Sequence, residues 1–442
     1  MAVRTQVEML RGLFSDIRHL VLAGVAAVST FDPTLALRVG ALIAALMALP
    51  DVRSYRPTAP DKWAFAFAAL TYLSLAWTIS PHLTSAVGKD QVAVAVIFVA
   101  VRISVRSRRA LGIIGMGYLT GCGITLWLLL QENSLTREQL DFTTGIRYGL
   151  TGLNPNYVAY AMAGGVAVAV LVSQFMRKST PLLLAPIVVI FVGISLAGTR
   201  GALIAFTATV VWCIVPSQLR RAGLVVVYGL VVGVASGILF GFTDDLIRSN
   251  IEGNVTRETG NLNGRLLLWP IARDAFDRHL WIGSGGGTFP ALNPRGIFAH
   301  NVLLDVGAGL GLVGLIVFIA LIWTTLISGT RGGDQRRRAL LVGVVLCAVS
   351  PPMLSGYWYQ SPAAWVIIAL FSRMALVTME GHGDPDSEFG TDGDKMVGLP
   401  AATRATPECG LPLKQAESGA ARPEARHELS DSSSLGGDTT RG

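Results

Sequence analysis

Apolar runs of roughly 17–22 residues recur through the first 378 positions, and each is long enough to cross ~30 Å of bilayer hydrocarbon. No other feature restricts the fold as much. Such runs account for a chain of 442 residues in which 51% are apolar and only 15% charged. This pattern excludes a cytosolic enzyme, a disulfide-built secreted domain and a disordered protein. It predicts an all-α fold, a polytopic transmembrane helical bundle of about 12 spans. They are expected near 14–30, 34–50, 62–79, 90–104, 110–130, 155–174, 181–198, 201–217, 222–242, 301–328, 339–356 and 362–378. The first and fourth are the least apolar and compatible with re-entrant segments.

Charge divides the chain in two. Residues 380–442 carry a net −6 and the remainder a net +13, giving the formal +7 of the whole. The cations sit in short loops rather than along one face, so no nucleic acid is expected as partner. With the N-terminus inside, 18 Lys and Arg fall on the cytoplasmic side. Only Lys89, Arg137, Arg147 and Arg200 fall in short outer loops. That asymmetry fits the positive-inside rule and predicts that both termini are cytoplasmic. Two domains follow, a membrane body over 1–378 with a long extracytoplasmic loop at 243–300, and an acidic cytoplasmic tail over 379–442 that reads as disordered. Cys122, Cys213, Cys347 and Cys409 are scattered, which argues against a disulfide framework or a zinc site.

The unusual polar residues gather at the outer ends of the expected helices. Gly198-Thr199-Arg200-Gly201 joins two apolar runs with almost no loop. There the Arg200 guanidinium suits an anion clamp, because its fork grips phosphate oxygens bidentately. The plainer alternative is an interfacial arginine snorkelling to headgroups. In the long loop, Arg265, Trp269 and Arg273 share one side of a helix, and Leu268, Ala272 and Phe276 a neighbouring side. This predicts an amphipathic helix lying on the outer membrane surface, with Arg265 as a second phosphate contact and lipid anchoring as the alternative. His300-Asn301 stands where the loop re-enters the membrane, and imidazole accepts a proton near neutrality. Asp305 is a tempting orienting partner, but five residues on it points roughly 140° away around a helix. The run Gly283-Ser284-Gly285-Gly286-Gly287 is expected to be a flexible turn. Asn154-Pro155 reads as a helix cap and first turn, which leaves Arg147 and Asn156 unexplained. Arg38, inside the second span, pairs with Asp32 or serves the same anion.

Taken in order, these pieces resemble the O-antigen ligase and polysaccharide polymerase family of membrane glycosyltransferases over about residues 60–378. The matching motifs are Asn154-Pro155-Asn156, Arg200-Gly201 and Gly264-Arg265 with Trp269. Gly283-x-Gly285, His300-Asn301 and Gly309-x-Gly311-x-x-Gly314 complete the set. Thr199 stands where the family usually has Ser, and Leu303 where an aromatic is common. The resemblance implies a polyprenyl-pyrophosphate-linked glycan donor, a glycan, lipid or protein hydroxyl acceptor, and inverting transfer without metal or other cofactor, on the outer face of the cytoplasmic membrane. It also implies Arg200 and Arg265 on the pyrophosphate and His300 as general base. Asn154, Asn156, Trp269, Arg147, Asn301 and Arg38 are the expected substrate contacts. Pyrophosphate needs no general acid to leave; the charge growing on its oxygens needs fixed cations at a low-dielectric boundary. The competing class is a transporter or flippase, which would place ionisable groups along a mid-membrane path and show pseudo-symmetric halves.

Overall fold

A computed structural model describes residues 2–132, 148–150, 152–175, 184–216, 219–220, 222–223, 225, 265–332, 334–355 and 360–379. Most of the expected span at 222–242, the first part of the long loop, Arg147 and residues 380–442 of the acidic tail lie outside them. Among the described residues the secondary structure is helical and no β-strand forms. In chain order the helices are α1 (Ala2–Phe31), α2 (Pro33–Val52, with a π turn over Ala36–Gly40), α3 (Ala59–Leu73), α4 (Pro81–Ser104) and α5 (Arg108–Glu132). They continue with α6 (Pro155–Ser173), α7 (Leu184–Ala197), α8 (Arg200–Ile214) and α9 (Arg265–Arg278). The last are α10 (Phe289–Leu292), α11 (Val302–Thr330), α12 (Gln335–Ser355), α13 (Pro362–Ser372) and α14 (Met374–Met379).

Local chemistry sets many of these starts. Pro81, Pro155 and Pro362 open α4, α6 and α13, where a missing N–H costs nothing. Asn154, Ser361 and Asn301 cap α6, α13 and α11 with side-chain oxygens, and Thr58 with Asp61 forms a capping box on α3. Among the described residues, five helices are long and apolar enough to cross a membrane: Phe14–Phe31, Pro33–Val52, Arg108–Gln131, Pro155–Ser173 and Val302–Thr330. The first expected span is among them. Shorter apolar helices occupy Ala185–Ala197, Arg200–Ile214 and Pro362–Leu376.

The apolar exterior agrees with a lipid surround. Leu42, Leu46 and Leu49 of α2 and Ile316, Ile319 and Trp323 of α11 are exposed at helical spacing, so the outward stripe is greasy where a soluble protein would be polar. Helix α6 is buried almost all round and forms the axis of the core. Close backbone approach joins α1 to α5: a Cβ on Gly117 or Gly121 would strike the backbone of Ala23 or Ala27. Small residues four apart on both helices allow that approach.

Side-chain ties identify the two ends of the bundle. At the charged end, Arg102 at the end of α4 pairs with Asp61 at the start of α3 at 2.7 Å, both side chains being fully buried. Thr58 Oγ1 receives the Arg102 Nη2 proton at 2.6 Å, Tyr55 Oη donates to Asp61 Oδ2 at 2.7 Å, and Arg102 also donates to Ser372 Oγ. Burial pushes the Tyr55 phenol up to about 12 despite the lowering field of Arg102. Arg18–Asp51 and Arg109–Asp16 close the same end. Two cations assigned to loops from the sequence are therefore relocated. Arg102 is not a solvated inner-loop cation but half of a buried pair. Lys89 lies inside α4, which starts at Pro81 rather than near 90.

Candidate functional site

At the opposite end, two groups of motif residues are assembled, each from segments distant in sequence. The first joins the start of α6 to the turn between α7 and α8. Gly198, at φ +61, ends α7 in a left-handed conformation. Thr199 follows in an extended conformation, and α8 begins at Arg200. Thr199 Oγ1 donates to Asn156 Oδ1 at 3.0 Å, while Asn154 Oδ1 accepts the Asn156 N–H at 2.9 Å. Asn156, which capping alone did not explain, is thus the tie between α6 and the arginine turn. A serine hydroxyl could make the same bond, so the Thr199 departure is chemically mild. Tyr148 N–H donates to Leu196 O at 3.0 Å, and Gly149 lies so close to Pro155 that a Cβ would sit 2.9 Å from its ring. The outcome is an exposed Arg200 on a tightly braced corner.

The second group surrounds His300. Trp269 Nε1–H donates to Ala299 O at 3.1 Å, and Asp305 Oδ1 accepts the Ala299 N–H at 2.9 Å. Asn301 is fully buried; its Oδ1 accepts the N–H groups of Leu303 at 3.0 Å and Leu304 at 3.4 Å. Between these fixed neighbours His300 adopts φ +55, and among the described residues no other non-glycine has positive φ. A left-handed L-residue costs roughly 1–2 kcal/mol, so this conformation persists because its neighbours impose it. The 140° separation expected between Asp305 and His300 does not remove Asp305 from the junction: its carboxylate folds back onto the backbone just before the histidine.

Helix α9, which starts at Arg265, supplies Trp269. The expected amphipathic face exists, since Leu268, Ala272 and Phe276 are buried. Its burial is against protein, however: Leu268, Ala272 and Ala275 cluster with Phe289, Ala299, Leu304 and Ala308. The helix is docked on α11, which corrects the expectation of a helix lying on the membrane surface. Arg273 lies 3.7 Å from Asp277, one turn on.

The glycine run also differs from the expected flexible turn. Residues 283–289 are buried, and the run fits into a break in α11 at Gly311, where φ is +65 and ψ −161. Ser284 and Gly285 N–H groups donate to Ala308 O at 3.0 Å and Gly309 O at 2.8 Å. Leu312 and Val313 N–H groups donate to Leu280 O at 2.7 Å and Trp281 O at 3.1 Å. The segment thereby satisfies carbonyls and amides that the broken helix leaves open, as irregular backbone inside a membrane protein requires. Ser74 Oγ accepts the Gly286 N–H at 2.8 Å and Trp77 Nε1–H donates to Ile282 O at 3.0 Å, anchoring the run to the region after α3. Glycines 283 and 311 are required by this approach, because a Cβ on either would overlap backbone of the other segment; one on Gly309 would sit 3.0 Å from Gly285 O, and one on Gly285 would strike Thr78 after α3.

Both groups lie at one end of the bundle. Tyr157 Oη, near the start of α6, donates to Ser29 O at 2.8 Å and accepts from Ser361 Oγ, just before α13, at 3.4 Å. Gly329, near the end of α11, abuts Phe371, near the end of α13. Ser74, just after α3, holds Gly286 against the break in α11, while the start of α3 holds Arg102 and Ser372, so the break lies at the end of the bundle away from that ion pair. Arg38 is exposed in the π turn of α2. Asp32 is occupied as the cap of Leu35 at 2.9 Å, and Arg38 instead acts electrostatically on Asp90 of α4. The polar atoms of Asn154, Trp269 and Asn301 named above are likewise committed to the fold. Arg147 lies outside the described residues.

Two residues that shape this region carry no signal of their partners in local sequence, Thr199 as partner of Asn156 and Ser74 as partner of Gly286, whereas Asp305, considered for His300, bonds Ala299 instead. The first two bonds span elements whose register only the folded bundle supplies. No curated protein matches the chain. Residues 185–319 match the family model described as O-antigen ligase, a stretch that contains Arg200, Arg265, Trp269, His300, Asn301 and the Gly309–Gly314 run. The family resemblance drawn from those motifs is thus supported over that stretch, and the chain is a multi-pass membrane protein with a segment at 185–319 that is similar to the O-antigen ligase family.

Proposed function

We propose that the protein transfers or polymerises polyprenyl-pyrophosphate-linked glycan at the outer face of the cytoplasmic membrane, by inversion and without metal. Arg200 and Arg265 hold the donor pyrophosphate and neutralise the charge that grows on it as the glycosidic bond breaks. His300 takes the proton from the acceptor hydroxyl, a contribution of about 10²–10⁴ in rate for a well-placed base. Arg38 and Arg147 add to the anion field, and Asn154, Asn156, Trp269 and Asn301 shape the walls. The motif end faces outward and both termini face the cytoplasm.

The observation that carries this reading is the braced, left-handed His300 at the start of a broken helix, at the same end of the bundle as the Arg200 corner. Strain held at one histidine by hydrogen bonds on both sides is the signature of a preorganised group rather than of a packing residue. A transporter gains less support. The buried ion pair Asp61–Arg102 stands at the opposite end, closed by Tyr55, Thr58 and Ser372, and it marks no path through the bundle. The test is transfer by purified protein from a polyprenyl-pyrophosphate glycan in the presence of EDTA. Wild type is expected to turn over, and His300→Ala to lose at least about a hundredfold. Full transfer by folded His300→Ala removes the mechanism.

A further inference from the structure

Three costs coincide within six residues at the start of α11. His300 is left-handed, and Asn301 Nδ2 and Asp305 Oδ2 are both buried without a hydrogen-bond partner. Buried polar atoms are rarely left unpaired in native proteins. A position that combines them with backbone strain is held for a reason other than stability. Asp305 is the group through which the remaining hydrogen bonds close. Its Oδ1 fixes the N–H of Ala299, while its main-chain N–H makes the ordinary first-turn bond to Asn301 O at 2.9 Å, so one neighbour of His300 is tied to the side chain and the other to the backbone of the same residue. Trp269 completes the clamp from α9 through the Ala299 carbonyl.

Building on the proposed role of His300 as base, we infer that Asp305 is a positioning residue for transfer: it locks the 299–301 backbone so that the imidazole is presented in one orientation. It acts through the main chain and takes no proton from the acceptor. An aspartate in the first turn of α11 also complements the helix N-terminus, which accounts for its placement without accounting for its reach back to Ala299.

The inference is tested with purified full-length protein and a polyprenyl-pyrophosphate glycan donor. Asp305→Ala leaves the Ala299 N–H unpaired in a buried site and is expected to lower kcat about a hundredfold, the scale of a displaced catalytic group, with the donor KM unchanged. Asp305→Asn retains an acceptor oxygen for Ala299 and is expected to recover most of that loss. Trp269→Phe removes the other hold on Ala299 while preserving an aromatic ring, and is expected to lower kcat in the same way even if Asp305→Ala does not fold. The His300→Ala/Asp305→Ala double variant should be no slower than His300→Ala, because a positioning group has nothing left to position. The pH dependence set by His300 should persist in Asp305→Asn. Wild-type kcat in both Asp305→Ala and Trp269→Phe overturns the inference, as do additive losses in the double variant. Failure of the two ideas is distinguishable: full activity in His300→Ala overturns the base itself, whereas an inactive His300→Ala beside fully active clamp variants overturns only the positioning role.

Discussion

Replacement of Gly283 by alanine isolates what the interlocked glycine segment contributes. Gly283 sits at φ +67, and a Cβ there would overlap the carbonyl of Gly309 and the amide of Leu310. Gly296 provides the internal control, since it has nearly the same φ, +64, but open space around the added atom. The left-handed conformation alone costs an alanine about 1–2 kcal/mol, and both variants bear it. Overpacking adds about 1–3 kcal/mol at Gly283 only, toward the upper end because the obstructing atoms are backbone and cannot rotate aside. Gly283→Ala is thus expected to lose about 2–5 kcal/mol, against about 1–2 kcal/mol for Gly296→Ala. Apparent melting midpoints of the detergent-solubilised proteins, taken at one scan rate because such unfolding is commonly irreversible, give the comparison. Gly283→Ala should melt well below Gly296→Ala and should also lose glycan transfer, because the displaced segment packs against the helix that begins just after His300. Equal midpoints for the two variants would show that the segment does not press on the broken helix, and the account of Gly309 and Gly311 would fall with it.

Two further outcomes are expected. Asp61→Ala strands the fully buried Arg102 cation and should cost about 3–5 kcal/mol, whereas Asp61→Leu with Arg102→Met should recover much of it; thermal midpoints and expression levels compare the two. Thr199→Ser should transfer glycan at near wild-type rates, while Thr199→Val loses the bond to Asn156, worth about 0.5–1.5 kcal/mol; kcat/KM for the donor reads the difference.

Much of this architecture was legible because its determinants are local. Asn154-Pro155 announces a helix start by cap chemistry, and the apolar runs place most helices. What stayed hidden depends on partners far along the chain. Arg102 closes an apolar run and looks like a loop cation until Asp61, 41 residues away, is seen beside it. Gly309-x-Gly311-x-x-Gly314 carries a family pattern, but nothing in its spacing says that the helix breaks there to admit residues 280–287. The same run of glycines looks flexible in sequence because glycine permits many conformations. Here it permits close approach, and the segment is fixed by bonds to α11 and Ser74. The bonds holding the expected site residues in place, Thr199 to Asn156 and Trp269 to Ala299, link positions whose proximity is a property of the fold.

The division of labour between guanidinium and imidazole is tested most directly by the equilibrium affinity of purified variants for a polyprenyl-pyrophosphate glycan, measured alongside single-turnover transfer. Arg200→Ala and Arg265→Ala should each weaken donor binding by about 10–150-fold, the worth of a hydrogen bond to a charged group. His300→Ala should bind donor as tightly as wild type and fail to transfer it. Wild-type donor affinity in both arginine variants, or loss of donor binding in His300→Ala, would contradict the account.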